Sequence, residues 1–554
     1  MTDKLTRRQM AVALAGAAPA ATSAAVPAQS APQQDPLAAA REQIGESIAS
    51  MEEFDLPCPP SRRSSSSRTS GGVEGTTMAD FSDDVFFSSI PDLNARLKAR
   101  EFSAKELARA FLDRLERLGP EYNALSLSLR KRALQEAEDV DGDMKRERYR
   151  SPLQGIPCGV KDLLSVGGLP TTWGAKPYQD LVFEDDATVV NKLGGAGAVL
   201  IGKLAMVELA GGGGYNSADA SLTGPGLNPW DKTRWSGGSS SGPGSAVAAG
   251  LVTFAVGSET SGSILTPSAF CGVTGLRPTY GYVSRHGAMA LSWTMDKIGP
   301  MCRSAEDCGL VLQEISGGDR EDPGSAGKSF YYTPRFARKF EDITIGFAPA
   351  DFEEWPEEPI RPVLRQALET LIGLGFKVKE IELPDLPYGP VTGTIIDAEG
   401  SAIFEPLIKS GEVDQLADAS QIAGLKAGLE IKAKDYLRAM RIRRIIQKRF
   451  RELFVDVSLM VTPARFGVAP SAFESLDSPG PERPRPDSRG LSSLIPAGNL
   501  TGLPALSLPC GFVDGLPLGI SIVGRPFYEN TMLAVGKAYQ QRTDWHTRRP
   551  PAPS

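Results

Sequence analysis

Between Phe102 and Leu118 apolar residues recur at helical spacing. Leu107, Phe111 and Leu115 share one face, with Leu112 beside them. Ser103 precedes this run with Glu106 three residues on, the pattern of a capping box, and Gly119-Pro120 stops it. The spacing predicts an amphipathic helix, and organised structure is expected to begin near Phe102. From residue 151 the pattern changes. Short apolar runs at Gly155–Val160, Ala198–Ile201 and Leu251–Val256 alternate with helical segments at Thr188–Gly194, Met206–Ala210 and Ser304–Ile315. Asp342–Phe347 and Phe376–Ile381 read as strands flanking a helix from Pro359 to Leu374. Lys426 to Arg451 reads as one long helix. LPALSLPCGF and LPLGISIVG read as two strands joined by Asp514-Gly515. Short apolar strands interleaved with helices predict an α/β fold: a large central, mostly mixed β-sheet covered by helices on both faces.

The ends of the chain read differently. In residues 1–34, Arg7 and Arg8 precede a short alanine-rich run and then small residues, the pattern of a twin-arginine export signal. A disordered leader or a misassigned start is the alternative. Residues 10–18 are too few and too interrupted to span a bilayer, so no stable membrane insertion is expected. The expected location is periplasmic or secreted, and cytoplasmic if the leader is not a signal. Residues 35–80 read as an N-terminal extension. Its segment SRRSSSSRTSGG has no apolar face to offset the entropy of ordering. Residues 81–554 read as one domain carrying a proline-rich loop near 478–487, too short to separate domains.

Composition narrows the function. A formal charge of -7 over 554 residues offers no basic patch for nucleic acid, and the basic outer face of Lys426–Arg451 reads as solvated surface. Two histidines, His286 and His546, leave little room for a histidine metal site. Cysteines at 58, 158, 271, 302, 308 and 510 lack zinc or iron–sulfur spacing. No metal or cofactor is expected. The expected partner is a small molecule, and the chain is expected to act as a monomer or homodimer.

The chemistry concentrates around three residues. Lys161 ends the apolar run GIPCGVKDLL, where a lysine can lose its proton near neutral pH. Ser239 lies in SGGSSSGPGSAVAAG and Ser263 in GSETSGSILTPSAFCG, both rich in glycine. A neutral amine can activate a serine for acyl transfer. The competing reading of Lys161 is a buried structural lysine bonded to carbonyls. Small residues at Thr260-Ser261-Gly262-Ser263 would let backbone N–H groups approach a developing oxyanion. A phosphate loop is excluded, because no GxxxxGK[ST] or GxGxxG follows a strand.

These blocks, with NPWD at 228–231, DKIGP at 296–300 and NLTGLPALSLPCGF at 499–512, stand in an order that resembles the amidase signature family over roughly residues 80–535. The resemblance implies the amidase signature fold and a triad of lysine, cis-peptide serine and nucleophilic serine at Lys161, Ser239 and Ser263. It also implies a cis bond between Gly238 and Ser239, and an oxyanion hole from the N–H groups of Thr260, Ser261, Gly262 and Ser263. Three positions depart from the family pattern: Glu259 replaces aspartate, Ser261 glycine, and Leu265 arginine. Without that arginine, Glu259 must find another partner or face solvent.

The expected function is hydrolysis of a carboxylic amide. Its alternatives are the glutaminase component of a tRNA-dependent amidotransferase and a catalytically inactive binding homologue. Met206, Leu209, Tyr215, Phe466 and Phe473 are candidates for the substrate pocket, with Trp173 a further candidate for its rim; core packing is the competing reading.

Overall fold

The computed structural model describes residues 35–49, 51, 81–333, 339–476 and 494–552. The export signal, the serine-rich segment and the proline-rich loop expected from the sequence lie outside the described residues.

The strands are β1 (Leu125–Ser128), β2 (Pro157–Lys161), β3 (Val199–Leu204), β4 (Leu227–Asn228), β5 (Asp231–Trp235), β6 (Phe254–Glu259), β7 (Thr274–Arg277), β8 (Lys297–Cys302), β9 (Thr344–Phe347), β10 (Lys377–Glu380), β11 (Leu459–Pro463), β12 (Ala505–Val513) and β13 (Leu516–Gly524). Among the described residues, β4 and β5 pair as a ribbon. The other eleven form one sheet in the order β1-β3-β2-β6-β8-β7-β12-β13-β11-β9-β10. The sheet is mixed: β2 runs parallel to both β3 and β6, while β6 runs antiparallel to β8. Every residue of β2, β3, β6 and β8 is buried. Strands covered on both faces are mostly apolar without alternation, which explains their short runs; Lys161, Lys203, Glu259 and Lys297 are buried exceptions.

The capping box at Ser103 is present. Ser103 Oγ accepts from the Glu106 N–H, and the Glu106 carboxylate accepts from the Ser103 N–H at 2.8 Å. The helix it starts, Ala104–Leu118, buries Leu107, Phe111, Leu112 and Leu115. Order begins earlier than Phe102, however. Ser89 caps a helix at Ile90–Lys98, and Pro36–Ala49 is helical, with Arg41 forked onto Glu430.

Two other expectations fail. The long basic helix is broken into Ala419–Gly428 and Ala433–Asp456. At the break a Cβ on Gly428 would stand 2.1 Å from Ser401 Oγ, so the neighbouring helix Tyr388–Ile403 passes too close for any side chain there. Around Met206–Ala210 there is a single 3-10 turn, with Leu209 and Ala210 at positive φ. There the N–H groups of Glu208 and Leu209 go to the carbonyls of Ala220 and Trp173, which replaces helical bonding with tertiary bonding.

Candidate active site

Parallel neighbours β2 and β6 end on the same edge of the sheet. In α/β sheets, ligands are bound just beyond the carboxyl ends of such strands. Here β2 delivers Lys161 as its last residue, and β6 delivers Ser258, Glu259 and then the loop 260–263. The third segment, Gly237–Ser240, precedes the helix Ser241–Ala248 and is laced to β6. Ser240 Oγ donates to Ser258 O, the Ser258 N–H donates back to Ser240 Oγ, and the Ser240 N–H donates to Ser263 O.

Lys161 is fully buried, with Nζ 2.7 Å from Ser239 Oγ and 3.0 Å from Ser258 Oγ. Burial pushes its ammonium down to about 7, against the opposing pull of the Asp296 and Glu259 carboxylates. The Gly238–Ser239 peptide is cis, as the resemblance implied. A Cβ on Gly238 would stand 2.7 Å from Val207 Cγ2 and 2.9 Å from the Tyr215 hydroxyl, so a side chain is excluded there.

Ser263 lies on the floor of a cleft of about 900 Å³ lined by residues far apart in sequence. Among the described residues its Oγ has no hydrogen-bond partner. Nor does any acceptor there take the N–H groups of Thr260, Ser261, Gly262 or Ser263. Thr260, Ser261 and Ser263 line the cleft. Gly262, at φ +88°, makes the turn that only glycine adopts easily.

The missing arginine at Leu265 has a substitute. Glu259 is fully buried, and its Oε1 accepts from Arg277 Nη1 at 2.7 Å and from Asn499 Nδ2 at 2.9 Å. Its Oε2 accepts from the N–H groups of Ile264 and Leu265 at 2.9 and 3.0 Å. Burial alone would raise this carboxyl, but Arg277, Asn499 and the Leu265 N–H outweigh it and hold it at about 2. Glu259 thus clamps the start of the helix Leu265–Cys271 directly after Ser263. Thr260 is held in turn through its hydroxyl to Asp296 at 2.6 Å.

The pocket candidates divide. Tyr215 and Phe466 line the cleft. Met206 and Leu209 do not: both are fully buried in the core, because the tertiary bonds around Leu209 turn this segment inward. Phe473 is 67 % exposed and lies outside the lining, and Trp173 packs against Tyr178 and Phe404 instead. Reading the sequence residue by residue missed Ser258, Arg277, Asp296, Arg465 and Asn499. Ser258, Asp296 and Asn499 do stand inside the quoted blocks GSETSGSILTPSAFCG, DKIGP and NLTGLPALSLPCGF. Among the described residues no three His, Cys, Asp or Glu side chains converge as a metal site requires.

The profile of the family described as Amidase matches residues 106–533. The chain belongs to the amidase signature family. Membership in that family makes it a hydrolase of the general class that acts on carbon–nitrogen bonds. The A-subunit of the glutamyl-tRNA(Gln) amidotransferase of Methylococcus capsulatus is 37 % identical over 488 residues, covering 83 % of this chain and 98 % of that relative. The native peptide amidase from Stenotrophomonas maltophilia superposes with a TM-score of 0.72 at 31 % identity, covering 84 % of this chain and 98 % of that one. The corresponding amidotransferase A-subunit from Thermotoga maritima superposes with a TM-score of 0.69 at 27 % identity, over 86 % and 99 %.

Proposed function

We propose that this amidase signature enzyme hydrolyses a carboxylic amide through an acyl-enzyme on Ser263, with Ser239 and neutral Lys161 as the proton relay. The observation that carries the reading is the buried Lys161 amine, held 2.7 Å from Ser239 Oγ with its proton lost near pH 7. Neutral Lys161 takes the Ser239 proton, and Ser239 takes that of Ser263. Ser263 Oγ then bonds to the acyl carbon, and the negative oxygen is met by the free N–H groups of residues 260–263. The relay runs backward to protonate the leaving nitrogen as the C–N bond breaks, and water releases the acid by the same path. The hydrogen bond from the Ser263 hydroxyl to Ser239 Oγ closes with substrate, as such bonds tighten in the reacting complex.

The expected pH profile follows from the sign of the Lys161 shift. Below about pH 7 the ammonium form dominates and cannot accept a proton, so kcat/KM rises with pH and levels off above about 7. A profile flat from pH 5 to 9 on a stable amide would remove Lys161 as the base.

A second reading, the glutaminase component of a tRNA-dependent amidotransferase, is favoured by the relatives just described, two of which carry that enzyme's name. Both readings use the same relay on a carboxylic amide. They differ in partner and compartment, and the export signal proposed for residues 1–34 would separate the chain from charged tRNA. Cell fractionation of the full chain tests that signal. The function is tested with a fluorophosphonate and a panel of acyl amides, peptide amides and glutamine. A single adduct on Ser263, with hydrolysis by the chain alone, supports the hydrolase. Ammonia released from glutamine only with added partner subunits supports the second reading. No adduct and no turnover would leave a binding homologue.

A further inference from the structure

The cleft that holds Ser263 also holds a cation the relay does not use. Arg465 stands just after β11, half-buried, and lines the cleft beside Tyr215 and Phe466. Its Nε and Nη2 both donate to one acceptor, Thr266 Oγ1, with Nε at 3.1 Å. Among the described residues no carboxylate pairs with it. Glu259 is engaged by Arg277 and Asn499, and Glu474, which also lines the cleft, is exposed. Arg234 shares the lining but already faces Asp231 at 3.6 Å.

A guanidinium offers five N–H groups in a planar fork. One hydroxyl satisfies only part of that fork, so Nη1 and the rest of Nη2 are left for a ligand. A partly desolvated cation without an anion is costly, and an anion on a ligand offsets that cost. A second donor accompanies it. The Tyr215 hydroxyl has no hydrogen-bond partner among the described residues, and burial pushes it up to about 12, which keeps it an O–H donor at working pH. The two donors flank the reacting groups. A Cβ on Gly262 would lie 3.3 Å from Arg465 Nη2, and one on Gly238 would lie 2.9 Å from the Tyr215 oxygen.

Resting on the amidase reading, we propose that Arg465 determines specificity for an acyl group that ends in a carboxylate, so that the substrate class is the monoamides of short dicarboxylic acids. The carboxylate takes the open face of the Arg465 fork, assisted by Tyr215, while the amide carbon meets Ser263. Thr266, which anchors the fork, is only three residues from Ser263, so the spacer between carboxylate and amide is short. Water is consumed, the C–N bond breaks, and ammonia and the dicarboxylate leave.

The test uses the full chain and its Arg465→Ala and Arg465→Lys variants on succinamate, glutaramate, butyramide, valeramide and glutamine. The wild type is expected to prefer the anionic amides. Arg465→Ala is expected to lower the ratio of kcat/KM for anionic over neutral amides by about 10²-fold or more, chiefly through KM, with Arg465→Lys recovering part of it. Equal losses on both amide classes, or an unchanged ratio, would overturn the proposal. So would wild-type turnover of glutamine without turnover of glutaramate. A readout free of turnover is calorimetry of succinate and glutarate binding to Ser263→Ala, with and without Arg465→Ala. Binding lost with Arg465 supports the anion site even if no amide is hydrolysed, an outcome that would sink only the hydrolase reading. Binding indifferent to Arg465 overturns the site itself.

Discussion

Lys161→Ala is expected to lower kcat/KM for an amide by about 10⁴-fold, and for an ester of the same acid by only about 10²-fold. Both substrates need Ser263 deprotonated for attack, so both suffer when the base is lost. Only the amide also needs a proton delivered to its leaving nitrogen, because an amide anion does not depart while an alkoxide does. Lys161 is placed to store that proton: it is buried, 2.7 Å from Ser239 Oγ, and balanced near pH 7. Residual ester turnover would come from the free N–H groups of residues 260–263, which the substitution leaves in place. Parallel progress curves on matched amide and ester substrates check it. Equal losses would mean that Lys161 holds the Ser239 loop in place and moves no proton.

Lys161, Ser239 and Ser263 could be named as candidates from local pattern, and the resemblance to the amidase signature family then implied their roles. Lys161 is a charge ending an apolar strand, and Ser239 and Ser263 lie in glycine-rich turns. The sheet was readable for a similar reason, since buried strands leave short apolar runs. What escaped was everything decided by contact across the fold. Arg277 and Glu259 are 18 residues apart and Asn499 lies 240 residues from Glu259, so no local pattern shows that they meet. Leu209 looked like a pocket residue because its type fits one. The structure buries it fully in the core, with its N–H bonded to the Trp173 carbonyl. The single helix expected over Lys426–Arg451 is interrupted after Gly428, a glycine packed too closely against the helix Tyr388–Ile403 for a side chain, a contact invisible in that window.

Arg277→Met is expected to destabilise the protein by about 3–5 kcal/mol at neutral pH, because it strands the Glu259 carboxylate in the core without its cation. Both side chains are fully buried and 2.7 Å apart. The pH dependence separates this cause from simple loss of packing. In the wild type the Glu259 carboxyl is held at about 2, below its unfolded value, so its contribution is complete above about pH 4.5. That contribution is lost as pH falls toward 2. Without Arg277, burial dominates and raises the carboxyl above its unfolded value, so the variant is relieved when the group takes a proton. The gap between the two proteins should therefore narrow as pH falls from 7 to 4; a gap that stays constant would point to packing alone. Urea unfolding midpoints at both values measure this. Adding Glu259→Leu removes the stranded charge and should restore part of the stability, since buried pairs are often no better than well-packed apolar residues. Activity should not return with it. Glu259 Oε2 also holds the N–H groups of Ile264 and Leu265, and leucine cannot keep the turn after Ser263 in register with Lys161 and Ser239. Recovery of stability without turnover would show that the pair is retained in this chain to aim the nucleophile, and that the fold itself does not need it.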